Sequence, residues 1–93
     1  MNDLDQVNQL KKLPNSICKL TSLTRLQVTR NNLVSVPDSI GNLTQLIVLD
    51  FYENKLKSVP ESIGNLTLLT KLAFADNQIT ALPESIGKLE NLG

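Results

Sequence analysis

The sequence predicts an α/β fold. It should be a right-handed solenoid of stacked coils, with short parallel strands along one face and short helical or 3-10 turns along the other. Three observations predict it. The first is a period of 23. Residues 69–92 read LTKLAFADNQITALPESIGKLENL, residues 46–69 read LIVLDFYENKLKSVPESIGNLTLL and residues 23–46 read LTRLQVTRNNLVSVPDSIGNLTQL. A fixed period of this size marks units that cannot bury their apolar face alone and must stack. The second is that the apolar slots never change character. Leu23, Leu26, Val28, Leu33, Val36, Ile40 and Leu43 recur one and two periods later as aliphatic residues or Phe. The third is that each unit divides into an alternating strand core and a return limb bracketed by Pro and Gly.

The chain reads as a single domain over residues 1–93. Residues 1–22 are a partial, divergent copy of the unit, residues 23–45, 46–68 and 69–91 are full units, and residues 92–93 open a further one. In the divergent copy Asn8, Leu10, Leu13, Pro14, Ile17 and Leu20 hold their slots. Its strand does not match, because Asp3 and Asp5 fall where Leu26 and Val28 sit in the next unit. Either the strand slips by one residue so that Leu4 points inward, or it is a frayed edge whose carboxylates block pairing with another chain. Lys11 and Lys12 read as a solvated turn.

In a full unit Leu26 and Val28 point inward while Arg25, Gln27 and Thr29 point outward, the period-2 pattern of a strand. Each strand lies beside its copy, so the sheet is parallel, and the rest of the unit is the crossover that parallel strands require. The return limb, (V/L)-P-(D/E)-S-I-G, predicts about one helical turn. Asp38, Glu61 and Glu84 fall at the positive end of that turn's dipole. Gly41, Gly64 and Gly87 are expected to make a left-handed exit, which only glycine adopts without strain. Cys18 holds that slot in the divergent copy. The return limb is bulkier than the strand, so the stack should curve with the sheet on its inner face.

The spacing L-x-x-L-x-(V/F)-x-x-N-x-(L/I)-x-x-(V/L)-P-x-x-I-G-x-L resembles the leucine-rich repeat family. The 23-residue form is similar to that of Ras-associated intracellular scaffolds, their plant relatives, Roco proteins and many bacterial leucine-rich-repeat proteins. The resemblance implies a horseshoe segment that binds proteins on its concave sheet, and repeat solenoids in general use concave faces in this way. It places protein binding on the outward strand positions. These form four columns: Arg25, Val48 and Lys71; Gln27, Asp50 and Ala73; Thr29, Tyr52 and Ala75; Arg30, Glu53 and Asp76. Tyr52, beside Asp50 and Arg30, is the strongest anchor candidate, because Tyr and Arg are enriched at binding hot spots.

Asn8, Asn31, Asn54 and Asn77 form a ladder at the bend after each strand. That bend leaves backbone donors and acceptors to be paired, and an inward amide supplies both kinds of group, so the ladder reads as structural. Asn42 and Asn65 begin Asn-Leu-Thr sequons at equivalent repeat positions, which reads as a product of the consensus. Cys18 has no histidine to activate it and reads as packing.

No histidine occurs anywhere, so the sequence offers neither a Ser-His or Cys-His nucleophile pair nor a Cys/His zinc cluster. No catalytic residue, metal or cofactor is expected. Nine basic and nine acidic residues cancel, and the aromatics are Phe51, Tyr52 and Phe74 alone, so neither electrostatics nor stacking favours nucleic acid. The longest apolar run, residues 46–49, is far too short to span a bilayer. The N-terminus lacks the pattern of a signal peptide, and one cysteine permits no internal disulfide. A cytoplasmic protein is expected, or one in a host cytosol if it is a secreted bacterial effector.

The expected function is non-catalytic binding of a protein partner through the concave sheet. Two alternatives stand beside it. One is the recognition segment of a larger enzyme, such as a Roco GTPase/kinase or a ubiquitin ligase. The other is a self-assembling repeat piece. The ends of the stack are expected to be covered, by further repeats or by a homodimer contact, because the last unit's apolar side chains otherwise lack a neighbour.

Overall fold

The computed structural model describes Leu13 and residues 15–92. It contains three strands, β1 (Arg25–Gln27), β2 (Val48–Asp50) and β3 (Lys71–Ala73), in one parallel sheet ordered β1-β2-β3. Four 3-10 turns, η1 (Asn15–Lys19), η2 (Asp38–Asn42), η3 (Glu61–Asn65) and η4 (Glu84–Lys88), alternate with them. The result is a right-handed solenoid segment whose coils follow the sequence period. The expected residues of the divergent first strand, Asp3 to Asp5, and the Lys11-Lys12 turn lie outside the described residues.

The register is in step with the repeat. Arg25 pairs with Val48 and Val48 with Lys71, Leu26 with Leu49 and Leu49 with Leu72, Gln27 with Asp50 and Asp50 with Ala73. A shift of one residue would turn each Leu to solvent. Between sheet and return limbs lies one core, in which Leu26, Val28, Leu33, Ile40, Leu43, Leu46, Leu49, Phe51, Leu56, Ile63, Leu66 and Leu69 are fully buried. Phe51 stacks on Phe74 with ring centroids 5.7 Å apart and planes 15° from parallel. An offset stack of this kind adds to the area that two rings bury. The third unit is less enclosed. Leu82 is 53% exposed, whereas Val36 and Val59 in the same slot are 8% and 7% exposed. Leu72, Phe74, Ile79 and Ile86 are only partly buried. Each coil therefore completes its burial only when a neighbour covers both of its sides.

Each return limb starts at a proline in extended conformation, Pro37, Pro60 or Pro83. Its carbonyl accepts the N–H of the Ile three residues on, at 3.0 to 3.2 Å, and that Ile accepts from the following Leu. Two successive i→i+3 bonds make the tight turn a 3-10 helix. Asp38, Glu61 and Glu84 occupy its first turn.

The glycines do not play the expected part. None has positive φ, and all three lie inside the 3-10 turns rather than past their ends. Close packing selects them instead. A Cβ on Gly41 would sit 2.7 Å from Ser62 Cβ, and one on Gly64 would sit 2.6 Å from Ser85 Cβ. The absence of a side chain lets successive turns touch. Ser62 Oγ then donates to the Asp38 carbonyl and Ser85 Oγ to the Glu61 carbonyl, each at 2.6 Å. Where buried Cys18 fills the glycine slot, the matching bond from Ser39 to the Asn15 carbonyl does not form among the described residues.

Candidate functional site

The left-handed backbone appears at a different place, at Arg30, Glu53 and Asp76, with φ of 56°, 58° and 57°. These residues end the outward columns, one position before the asparagine ladder. The bend they make swings the next residue inward. Asn54 Nδ2 donates to the carbonyls of Val28 at 2.7 Å and Phe51 at 2.9 Å, and its Oδ1 accepts the Leu33 N–H at 3.3 Å. Asn77 repeats the pattern with the carbonyls of Phe51 and Phe74 and the N–H of Leu56. Asn31 Nδ2 donates to the Thr29 carbonyl at 2.9 Å. Each asparagine thus fastens its own bend and, for Asn54 and Asn77, the coil before it. Asn8 lies outside the described residues.

This scaffold sets the outward columns side by side. Arg25 and Lys71 are exposed and Val48 half-buried, and Thr29, Gln27 and Ala73 are half-buried beside them. Tyr52, Ala75, Arg30 and Asp76 are exposed. Asp50 stands apart, because only 8% of it is exposed and its Oδ1 accepts the Tyr52 N–H at 3.0 Å. Between Gln27 and Ala73 its carboxylate serves the backbone of the bend, a local bond typical of Asp near turns. Strand alternation alone gives an outward position, but it does not show that the side chain folds back on its own chain.

Arg30 Nε donates to Glu53 Oε1 at 3.2 Å across the rim of the sheet. With both side chains well exposed, this pair adds little stability. Its charges act on Tyr52. The Glu53 carboxylate, then that of Asp76, raises the pKa of Tyr52 above 10.0, and the Arg30 guanidinium opposes them. The outer part of the rim is therefore net negative at the phenol. Tyr52 is the single tyrosine in a chain without tryptophan, so its ionisation can be followed cleanly by ultraviolet absorbance. Glu53→Gln is expected to bring the midpoint down towards 10.0, and Arg30→Gln to raise it further.

Three exposed apolar residues had no place in the sequence reading, one of them Val34 at 43% exposure. Ile47 is 42% exposed and Leu68 44%, both on the segments that lead into strands. The signal was present as a break in column character, since Ile47 sits among Thr24 and Thr70, and Leu68 among Ser22 and Gln45. Among the described residues no group of His, Cys, Asp and Glu is arranged to hold a metal ion, and no helix is long and apolar enough to cross a membrane.

The family model for the leucine rich repeat matches residues 21–79. Solved structures agree. A leucine-rich-repeat protein of Leptospira interrogans is 34% identical with a TM-score of 0.87, covering 91% of this chain and 22% of that one. The leucine-rich repeat domain of the type III effector XopL is 26% identical with a TM-score of 0.81, covering 97% of this chain and 33% of that one. The BIR3–SERK2 complex from Arabidopsis thaliana matches at 30% identity and a TM-score of 0.76, covering 94% of this chain and 50% of that one. No curated protein sequence matches this chain. The chain thus spans between about a fifth and a half of these structural relatives, and all of it that the family model and the strand register describe follows one pattern: this chain belongs to the leucine-rich repeat family.

Proposed function

We propose that the chain is a non-catalytic module that binds a partner protein on its parallel sheet. The observation that carries this reading is the division of labour within each coil. The inward slots and the asparagine ladder build the fold, while the outward columns are held in register at a spacing of about 4.8 Å and vary from coil to coil. Among the described residues no covering layer lies over them: Arg25, Lys71, Tyr52 and Ala75 are exposed, whereas parallel sheets outside solenoids are covered on both faces. Leucine-rich repeats typically serve as protein-interaction modules, and the neighbours include a receptor ectodomain and an effector domain. A cytoplasmic location is part of the same proposal.

The test is capture of cellular partners on immobilised protein, with cross-linking and mass spectrometry. Tyr52→Ala combined with Thr29→Ala should abolish capture that the wild type and the return-limb variant Glu61→Ala share. Asp50 is unsuitable for this purpose, since its carboxylate holds the bend. If the sheet variant captures the same partners at the same level, the sheet is not the binding face.

A further inference from the structure

We propose that the strand-start edge of the sheet recognises an acidic side chain of the partner that has an aliphatic neighbour. This rests on the reading of the sheet as the binding face and names the chemistry that one edge of it selects. The edge is built by the segments leading into the strands. The N–H groups of Ile47 and Val48 donate to the Thr24 carbonyl at 2.7 and 3.2 Å, and those of Thr70 and Lys71 donate to the Ile47 carbonyl at 2.8 and 3.2 Å. Thr70 Oγ1 adds a bond to the Ile47 carbonyl at 3.3 Å. These bonds fix the order Arg25, Val48, Lys71 across the edge. With strands about 4.8 Å apart, the strand positions of the two cations stand about 10 Å apart with Val48 between them.

Both cations are exposed, and neither forms an ion pair among the described residues, where the one such pair is Arg30 with Glu53. The lead-in and strand residues 20–26, 43–49 and 66–72 contain no Asp or Glu. Asp50, next along the sheet, is buried and committed to the Tyr52 N–H. Glu90 belongs to the column of Thr21, Thr44 and Thr67, four residues before the cation column. Among the described residues the positive charge of the edge is thus unneutralised, in contrast to the opposite rim, where Glu53 and Asp76 outweigh Arg30 at Tyr52.

Exposed Ile47 immediately precedes Val48 in the lead-in to β2, the strand between the two cations, and exposed Leu68 lies three residues before Lys71 in the lead-in to β3. Long side chains from Arg25 and Lys71 can converge on one carboxylate above Val48, the arginine as a two-pronged donor. An aliphatic neighbour on the partner then covers Ile47 and Leu68 and excludes water from the charge pair, which strengthens it. An apolar segment alone would leave the cations desolvated and unpaired, and a basic one would be repelled.

The probe is a displayed library of random linear peptides, selected at low salt against the folded protein. The peptides recovered are expected to carry Asp or Glu next to Leu, Ile or Val and to bind more weakly as salt rises. Arg25→Glu and Lys71→Glu should each weaken them about tenfold or more. Glu61→Gln on the return limb should not, and circular dichroism should show each variant folded. Peptides with the acid changed to Lys should regain binding on the charge-reversed proteins. Recovery of no saturable binder, or of peptides without acids that ignore both cations, overturns the inference. If the peptides depend on Tyr52 but not on Arg25 or Lys71, the carboxylate reading falls while the sheet stands as the binding face. If they depend on neither Tyr52 nor the cations, both readings lose their support.

Discussion

Replacing Asn54 with alanine is expected to destabilise the fold by about 3 kcal/mol, since unpaired buried polar groups cost about 1–3 kcal/mol each. The Val28 carbonyl loses its amide donor and the Leu33 N–H loses its acceptor, both in buried surroundings. The Phe51 carbonyl keeps Asn77, so two groups rather than three are stranded. Asn77→Ala should cost less, because its bonds are part-buried or exposed. Chemical denaturation of the two variants measures the difference. Equal losses would mean that the ladder acts through the bend alone and not through its tie to the preceding coil. The loss at Asn54 is a large share of the roughly 5–15 kcal/mol that keeps a domain folded, so thermal unfolding should shift visibly as well.

Gly64→Ala is expected to lower stability by about 2 kcal/mol, within the range found for overpacking a close-packed site. The added methyl would stand 2.6 Å from Ser85 Cβ and 2.8 Å from the Ser85 carbonyl oxygen. Backbone and a Cβ cannot swing aside as a flexible side chain can, so η3 and η4 must separate, and the Ser85 bond to the Glu61 carbonyl goes with them. Gly87→Ala is the control. A Cβ there meets nothing within 4 Å, and stability should hold or rise slightly, because alanine favours helical backbone more than glycine does. The pair of measurements separates close packing from conformational freedom as the reason for glycine in this slot. If Gly87→Ala were as damaging as Gly64→Ala, backbone conformation would be the cause.

The slot positions, the register and the asparagines were legible because each rests on a residue type that has one physical use at that spacing. Leu49 and Leu72 can only be inward once Leu26 is, and an amide at a bend answers a need that the backbone itself creates. The glycine slot was misread because glycine has two uses, left-handed backbone and close approach, and a sequence does not say which. The left-handed residues themselves gave no signal. Arg30 and Glu53 are not residues that prefer positive φ, and they hold it because the asparagine bonds on one side and the strand on the other over-determine the bend. Asp50 was assigned to the outer surface by alternation alone. Its return to the Tyr52 N–H depends on the angle of that bend. Ile47 and Leu68 were passed over because scattered exposed aliphatics are ordinary, and only their place in the segments leading into β2 and β3, on the edge that carries Arg25 and Lys71, gives them weight.

Among the described residues every hydrogen bond between coils joins immediate neighbours, whether from Ser62 to Asp38, from Asn54 to Val28 or along the strands. Mechanically this is a set of springs in series. A load applied along the stacking axis is the same at every seam, and the compliances of the seams add, so the segment stretches by small rotations spread over all of them. Failure has the opposite character. It starts at the weakest seam and runs one coil at a time, each step releasing roughly 80 Å of extended chain. Among the described residues the seam beside Cys18 lacks the serine tie that the later ones have, so its return-limb side has one bond fewer to share the load.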